Sequence, residues 1–69
     1  MNKFYVVSGL VKEIVLATNP VNAAVIAMRR LDGPILMGTT FRISEKGFDE
    51  HDDDTVISTS ALLEILIEA

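Results

Sequence analysis

Apolar and polar positions alternate in a way that divides this chain into six short elements. Residues 3–7 (Lys-Phe-Tyr-Val-Val) are aromatic and β-branched, and such a run predicts a strand broken by Ser8-Gly9. Residues 10–18 predict a second strand. Lys12, Ile14 and Leu16 share one of its faces, and Val11, Glu13, Val15 and Ala17 share the other. The short break between the two runs predicts an antiparallel hairpin. Neither face of the second strand is cleanly polar, which predicts a central place in a sheet or a place at an interface.

The period then changes from two to 3.6. Asn19 can cap a helix with its side-chain oxygen, and Pro20 suits the first helical position, where its missing N–H is no loss. Val21, Ala24, Val25, Met28 and Leu31 follow the i, i+3, i+4, i+7 spacing of a buried helix face, with Asn22, Ile26, Arg29 and Arg30 opposite, toward water. Asp32-Gly33-Pro34 ends this helix, because Gly33 suits a left-handed C-cap and Pro34 cannot continue the helix. Residues 35–43 alternate again. Ile35, Met37, Thr39, Phe41 and Ile43 form the apolar side of a predicted strand, and Leu36, Gly38, Thr40 and Arg42 form the other. Gly38 marks a bulge or a close approach of another backbone.

Residues 44–54 (Ser-Glu-Lys-Gly-Phe-Asp-Glu-His-Asp-Asp-Asp) read as a polar loop with a turn at Lys46-Gly47 and one apolar pin, Phe48. Residues 55–57 are briefly extended. Ser58, Thr59 and Ser60 then offer three N-caps for a second helix at 59–68, in which Leu62, Ile65 and Leu66 share a face while Leu63 and Ile67 lie off it. Glu64 and Glu68 are like charges at i, i+4 near its C-terminus, and Ile65-Leu66-Ile67 would also suit a terminal strand. The order β-β-α-β-(β)-α predicts an α+β fold in one domain spanning residues 1–69: a small antiparallel sheet of three or four strands packed against two helices. Its β-β-α-β start with an Asn-capped helix resembles the pattern of several small regulatory domains, HicB-like antitoxins among them. No diagnostic motif turns that likeness of pattern into a family.

Composition sharpens this picture. The chain has 69 residues, is 49% hydrophobic with a mean hydropathy of +0.37, and contains no cysteine. A domain this small buries only about 60% of the surface its unfolded chain exposes. Disulfides and thiolate zinc sites are excluded, so the remaining supports are a good core, an oxygen-ligated metal or oligomerisation. The high apolar content favours oligomerisation. No apolar run approaches the ~20 residues of a membrane span. The N-terminus carries one early lysine and passes straight into strand-like sequence, which predicts no signal peptide and a cytoplasmic location. The net charge of −4 and the scatter of the six basic residues argue against nucleic-acid binding.

Three groups of residues are candidates for chemistry or recognition. The acidic run offers Asp49, His51, Asp52 and Asp54 as ligands for a hard divalent cation, although it lacks the alternate spacing, glycine and terminal glutamate of a calcium loop. Arg29, Arg30 and Arg42 would make a small anion site if the third strand lay under the first helix. Leu62, Leu63, Leu66 and Ile67 form a candidate interface, because exposed apolar area beyond a few hundred Å² marks interaction. A lone histidine without an ordered nucleophile, and no phosphate-loop glycine pattern, yield no catalytic residues and no cofactor. The expectation is a non-enzymatic cytosolic binding or adaptor module that forms a homodimer or engages another protein, without nucleic acid or membrane. The alternative is a metal- or ligand-responsive regulatory domain that senses through loop 49–54.

Overall fold

The computed structural model describes residues 1–30 and 37–68. Its elements are β1 (Asn2–Ser8), β2 (Val11–Ala17), α1 (Pro20–Arg29), β3 (Thr40–Ser44), β4 (Thr55–Ser58) and α2 (Thr59–Glu68). The four strands form one antiparallel sheet in the order β2-β1-β3-β4, which is the expected α+β architecture with the fourth strand present. The C-terminal segment is a helix, and strand propensity at Ile65-Leu66-Ile67 yields to its packing. Among the described residues no helix is long and apolar enough to cross a membrane.

The β1–β2 hairpin pairs along its whole length, from Asn2↔Ala17 to Ser8↔Val11. Its two-residue turn is Gly9-Leu10. Gly9 has φ 58°, at the first central position, where a type II′ turn demands glycine. Strand β1 therefore runs one residue into the predicted break, to Ser8. The chain then crosses over through α1 to lay β3 on the other side of β1, through Tyr5↔Ser44, Val6↔Ile43 and Val7↔Arg42. Strand β2 is an edge strand and not a central one, because β1 is paired on both sides.

Helix α1 starts as its sequence dictates. Asn19 is extended (φ −157°, ψ 167°), and its Oδ1 accepts a 2.7 Å hydrogen bond from the Asn22 N–H, with Pro20 following in the first turn. Its buried face is broader than the apolar spacing predicts. Ala23, Ala24, Val25, Ala27 and Met28 are buried, Ile26 packs against the core, and Val21 is exposed. Ala23 and Ala27 are fully buried in the core, and Val21 lies outside the buried face. Leu31 and the predicted stop at Asp32-Gly33-Pro34 lie outside the described residues.

Strand β3 begins at Thr40, five residues later than the alternation predicts. Ile35 and Leu36 lie outside the described residues, and Met37 and Thr39 are exposed rather than on the core. The reason lies in the hydrogen bonds of this segment, which go to loop and helix partners. Gly38 N–H donates to Ser8 Oγ (3.0 Å), and the Gly38 carbonyl accepts from Thr59 Oγ1 (2.7 Å). Thr59 N–H donates to the Thr39 carbonyl (2.9 Å). Of the two readings of Gly38, close approach is the correct one. A Cβ there would stand 2.9 Å from the Gly9 nitrogen. Of the three predicted caps, Ser58 serves α2, because its Oγ accepts from the Ala61 N–H at 3.2 Å.

One face of the sheet carries the core. Phe4, Val6, Val15, Ala17, Phe41 and Ile43 meet the buried face of α1 and Leu62 of α2, with Ile57 and Leu66 packed at the margin. Burying a Leu, Phe or Met side chain of this kind contributes about 1.5–3 kcal/mol. The alternating residues face the opposite way, and they position the candidate site.

Candidate functional site

The strand registers build the second face row by row. Lys3 pairs with Leu16. Tyr5 pairs with Ile14 on one side and Ser44 on the other, and Val7 sits between Lys12 and Arg42. Arg42 in turn pairs with Val56. Among the described residues no helix covers this face. The segment linking β3 to β4 does, but only over one half.

Four contacts hold that segment down. The Phe48 ring meets the Tyr5 ring edge-on, with centroids 5.1 Å apart and planes at 82°. Arg42 donates from Nη2 to the Phe48 carbonyl and pairs through Nε with Asp54 Oδ2 at 3.3 Å. Ser44 Oγ accepts from the Lys46 N–H at 3.0 Å. His51 and Asp54 close a turn on each other: Asp54 N–H donates to the His51 carbonyl (3.2 Å), and His51 N–H donates to Asp54 Oδ2 (2.8 Å). Ser44, on the open side of β3, is consequently buried. Over β2 the face stays bare, with Ile14 and Leu16 49% and 61% exposed.

The acidic run is therefore sorted by the fold. Asp49, Glu50, Asp52 and Asp53 are exposed, while the Asp54 side chain is only 3% exposed and lies inside the loop. Its Oδ1 is buried without a hydrogen-bond partner, 3.7 Å from His51 Nδ1. On the surface, Lys46 Nζ stands 3.1 Å from Asp53, and this contact holds that carboxyl below its ordinary value near 3.8. The four candidate metal ligands do not gather. Among the described residues no three His, Cys, Asp or Glu side chains are placed to share an ion. Asp54 is committed to Arg42.

The fold does bring Ser44, His51 and Asp54 together, a trio that the spacing along the chain does not show. Its geometry is not that of a hydrolytic triad. There, the histidine uses one ring nitrogen for the nucleophile and the other for the acid. Here, Nδ1 faces both Ser44 Oγ (3.4 Å) and Asp54 Oδ1 (3.7 Å), so no proton can be passed through the ring from one to the other. The trio anchors the loop.

The arginines are separated. Phe41 and Ile43 face α1, so the alternation of β3 places Arg42 on the far side of the sheet from Arg29 and Arg30. Arg30 instead reaches the edge strand, where its Nη1 donates to the Ile14 carbonyl at 3.5 Å. The C-terminal apolar set also divides. Leu62 is fully buried and belongs to the core, Leu66 packs at the margin, and Leu63 and Ile67 are exposed. Two grooves open to solvent border this helix. One, of about 510 Å³, runs between α1 and α2 past Val21, Val25 and Ile65. The other, of about 360 Å³, lies beside Leu63, between Gly38 and Ser60.

The sequence carries a signal for the bare half of the sheet, since Lys12, Ile14 and Leu16 share one face. It did not show that this face would be left open. No family model, no curated protein and no solved structure matches this chain.

Proposed function

We propose that this protein is a non-enzymatic binding module that homodimerises and works in the cytosol. The observation that carries the reading is the half-covered sheet: Ile14 and Leu16 stand in water on a regular strand, beside a loop that shields the rest of the same face. Apolar area presented on a rigid strand favours association, because burying it against a partner removes it from water at little cost in ordering. Leu63 and Ile67 on α2 add a second exposed apolar stripe on the opposite layer. Ser44, whose hydroxyl faces His51 Nδ1, is buried beneath the loop, and that burial supports the non-enzymatic part.

Sedimentation equilibrium from about 10 µM to about 1 mM tests the reading, a range that brackets dimers of micromolar affinity. A dimer is the expected result. A monomer throughout, with cooperative unfolding in urea, overturns self-association.

A further inference from the structure

The open sheet face carries charge as well as apolar surface, and its two halves carry opposite signs. Over β1 and β2, Lys3 and Lys12 flank Ile14 and Leu16. Over β3, the loop raises Asp49, Glu50 and Asp52 into solvent. Tyr5 marks the boundary, touching the loop through Phe48 and pairing with Ile14. Among the described residues neither lysine pairs with a carboxylate, and neither do these three acids pair with a base. The loop lies over the sheet against Tyr5 and Arg42, and so adds a layer that the β2 half lacks. One half is thus a raised acidic shoulder, and the other is a recessed basic and apolar bed.

A surface of this kind is complementary to itself under one two-fold rotation. If two copies meet face to face about an axis parallel to the strands, the β2 side of each lies against the β3–β4 side of the other. The shoulder of one copy then enters the recess of its partner, twice over. A two-fold axis across the strands would instead stack shoulder on shoulder and lysine on lysine, which like-charge repulsion disfavours. Pairing through the exposed stripe of α2 would bring Glu64 of both copies together without a basic residue nearby on that helix. We propose that the open face is the homodimer interface, with Lys3 and Lys12 of each copy engaging the loop acids Asp49, Glu50 and Asp52 of the other over the Ile14–Leu16 bed. This rests on the self-association reading above and names its surface.

Charge-swapped partners test it. One variant carries Lys3→Glu and Lys12→Glu, the other Glu50→Lys and Asp52→Lys. All four positions are exposed, and cooperative urea unfolding verifies that each variant folds. Each variant alone is expected to dimerise at least about tenfold more weakly than the parent, because every substituted position then faces like charge in the partner. Their equimolar mixture restores both sets of opposite charges and should recover dimers to within about threefold of the parent. Leu16→Asn, which leaves the charges alone, should also weaken the dimer, and Leu63→Ser should not. A parent dimer that the mixture fails to restore, or that Leu63→Ser dissolves, overturns this interface while self-association stands. A parent that is monomeric at about 1 mM removes both.

Discussion

The two faces of this sheet are covered by different means. On one, α1 and α2 lay alanine, valine, methionine and leucine against Phe4, Val6, Phe41 and Ile43, and the contact is almost wholly apolar. On the other, a loop is fastened by one aromatic pair, one arginine forked between a carbonyl and a carboxylate, and one serine. The first is a close-packed layer whose stability is spread over many side chains. The second concentrates its stability in a few directional contacts, and it stops halfway. The contacts that fasten the loop run to Tyr5 on β1 and to Arg42 and Ser44 on β3, so the half of the face over β2 is left bare.

The largest single effect belongs to the helix side. Leu62→Ala should lower unfolding free energy by about 3 kcal/mol in urea titration, whereas Leu63→Ala one residue on should change it by less than about 0.5 kcal/mol. Equal costs would mean that α2 packs in another rotation. On the loop side, Asp54→Ala leaves the half-buried Arg42 without its partner and should cost about 2 kcal/mol. Its effect should shrink markedly in an Arg42→Ala background. Additive losses in that double-mutant cycle would show that the pair does not fasten the loop.

A smaller effect separates the layers further. Phe48→Ala should cost about 1 kcal/mol and speed hydrogen exchange at loop amides, while the amides of β1 and α1 keep their protection. Uniformly faster exchange would mean that loop and core open together. The smallest effect is electrostatic. The Asp53 carboxyl titrates below its ordinary value because of Lys46, so its contribution is present above about pH 4 and disappears as pH falls through the lowered value. Stability of the parent and of Lys46→Met should therefore converge in acid. A gap that widens there would reverse the sign.

Much of the architecture is legible in local pattern. Asn19-Pro20 announces α1, Ser58-Thr59-Ser60 announces α2, and the hairpin follows from two β-rich runs with a glycine between them. Three misreadings share a cause. Val21 lies on the i, i+3, i+4, i+7 stripe and Ala23 and Ala27 lie off it, yet the contact with the sheet selects the two alanines and leaves Val21 exposed. Residues 37–39 continued an alternating pattern but bond to Ser8 and Thr59, contacts that no window along the chain contains. Asp54 looked like its acidic neighbours, and only the position of Arg42 on β3 draws it inward.

By itself, then, the sequence determined the elements, their order and which residues alternate on each strand, because the periods of helix and strand are local properties of the backbone. Only the tertiary structure decided which side of each strand would be covered, and by what. The pairing of Tyr5 with Phe48, the turn of Asp54 toward Arg42 and the exposure of Ile14 all depend on residues distant in the chain. Such contacts form only once the strands have set their register, and local periodicity carries no information about them.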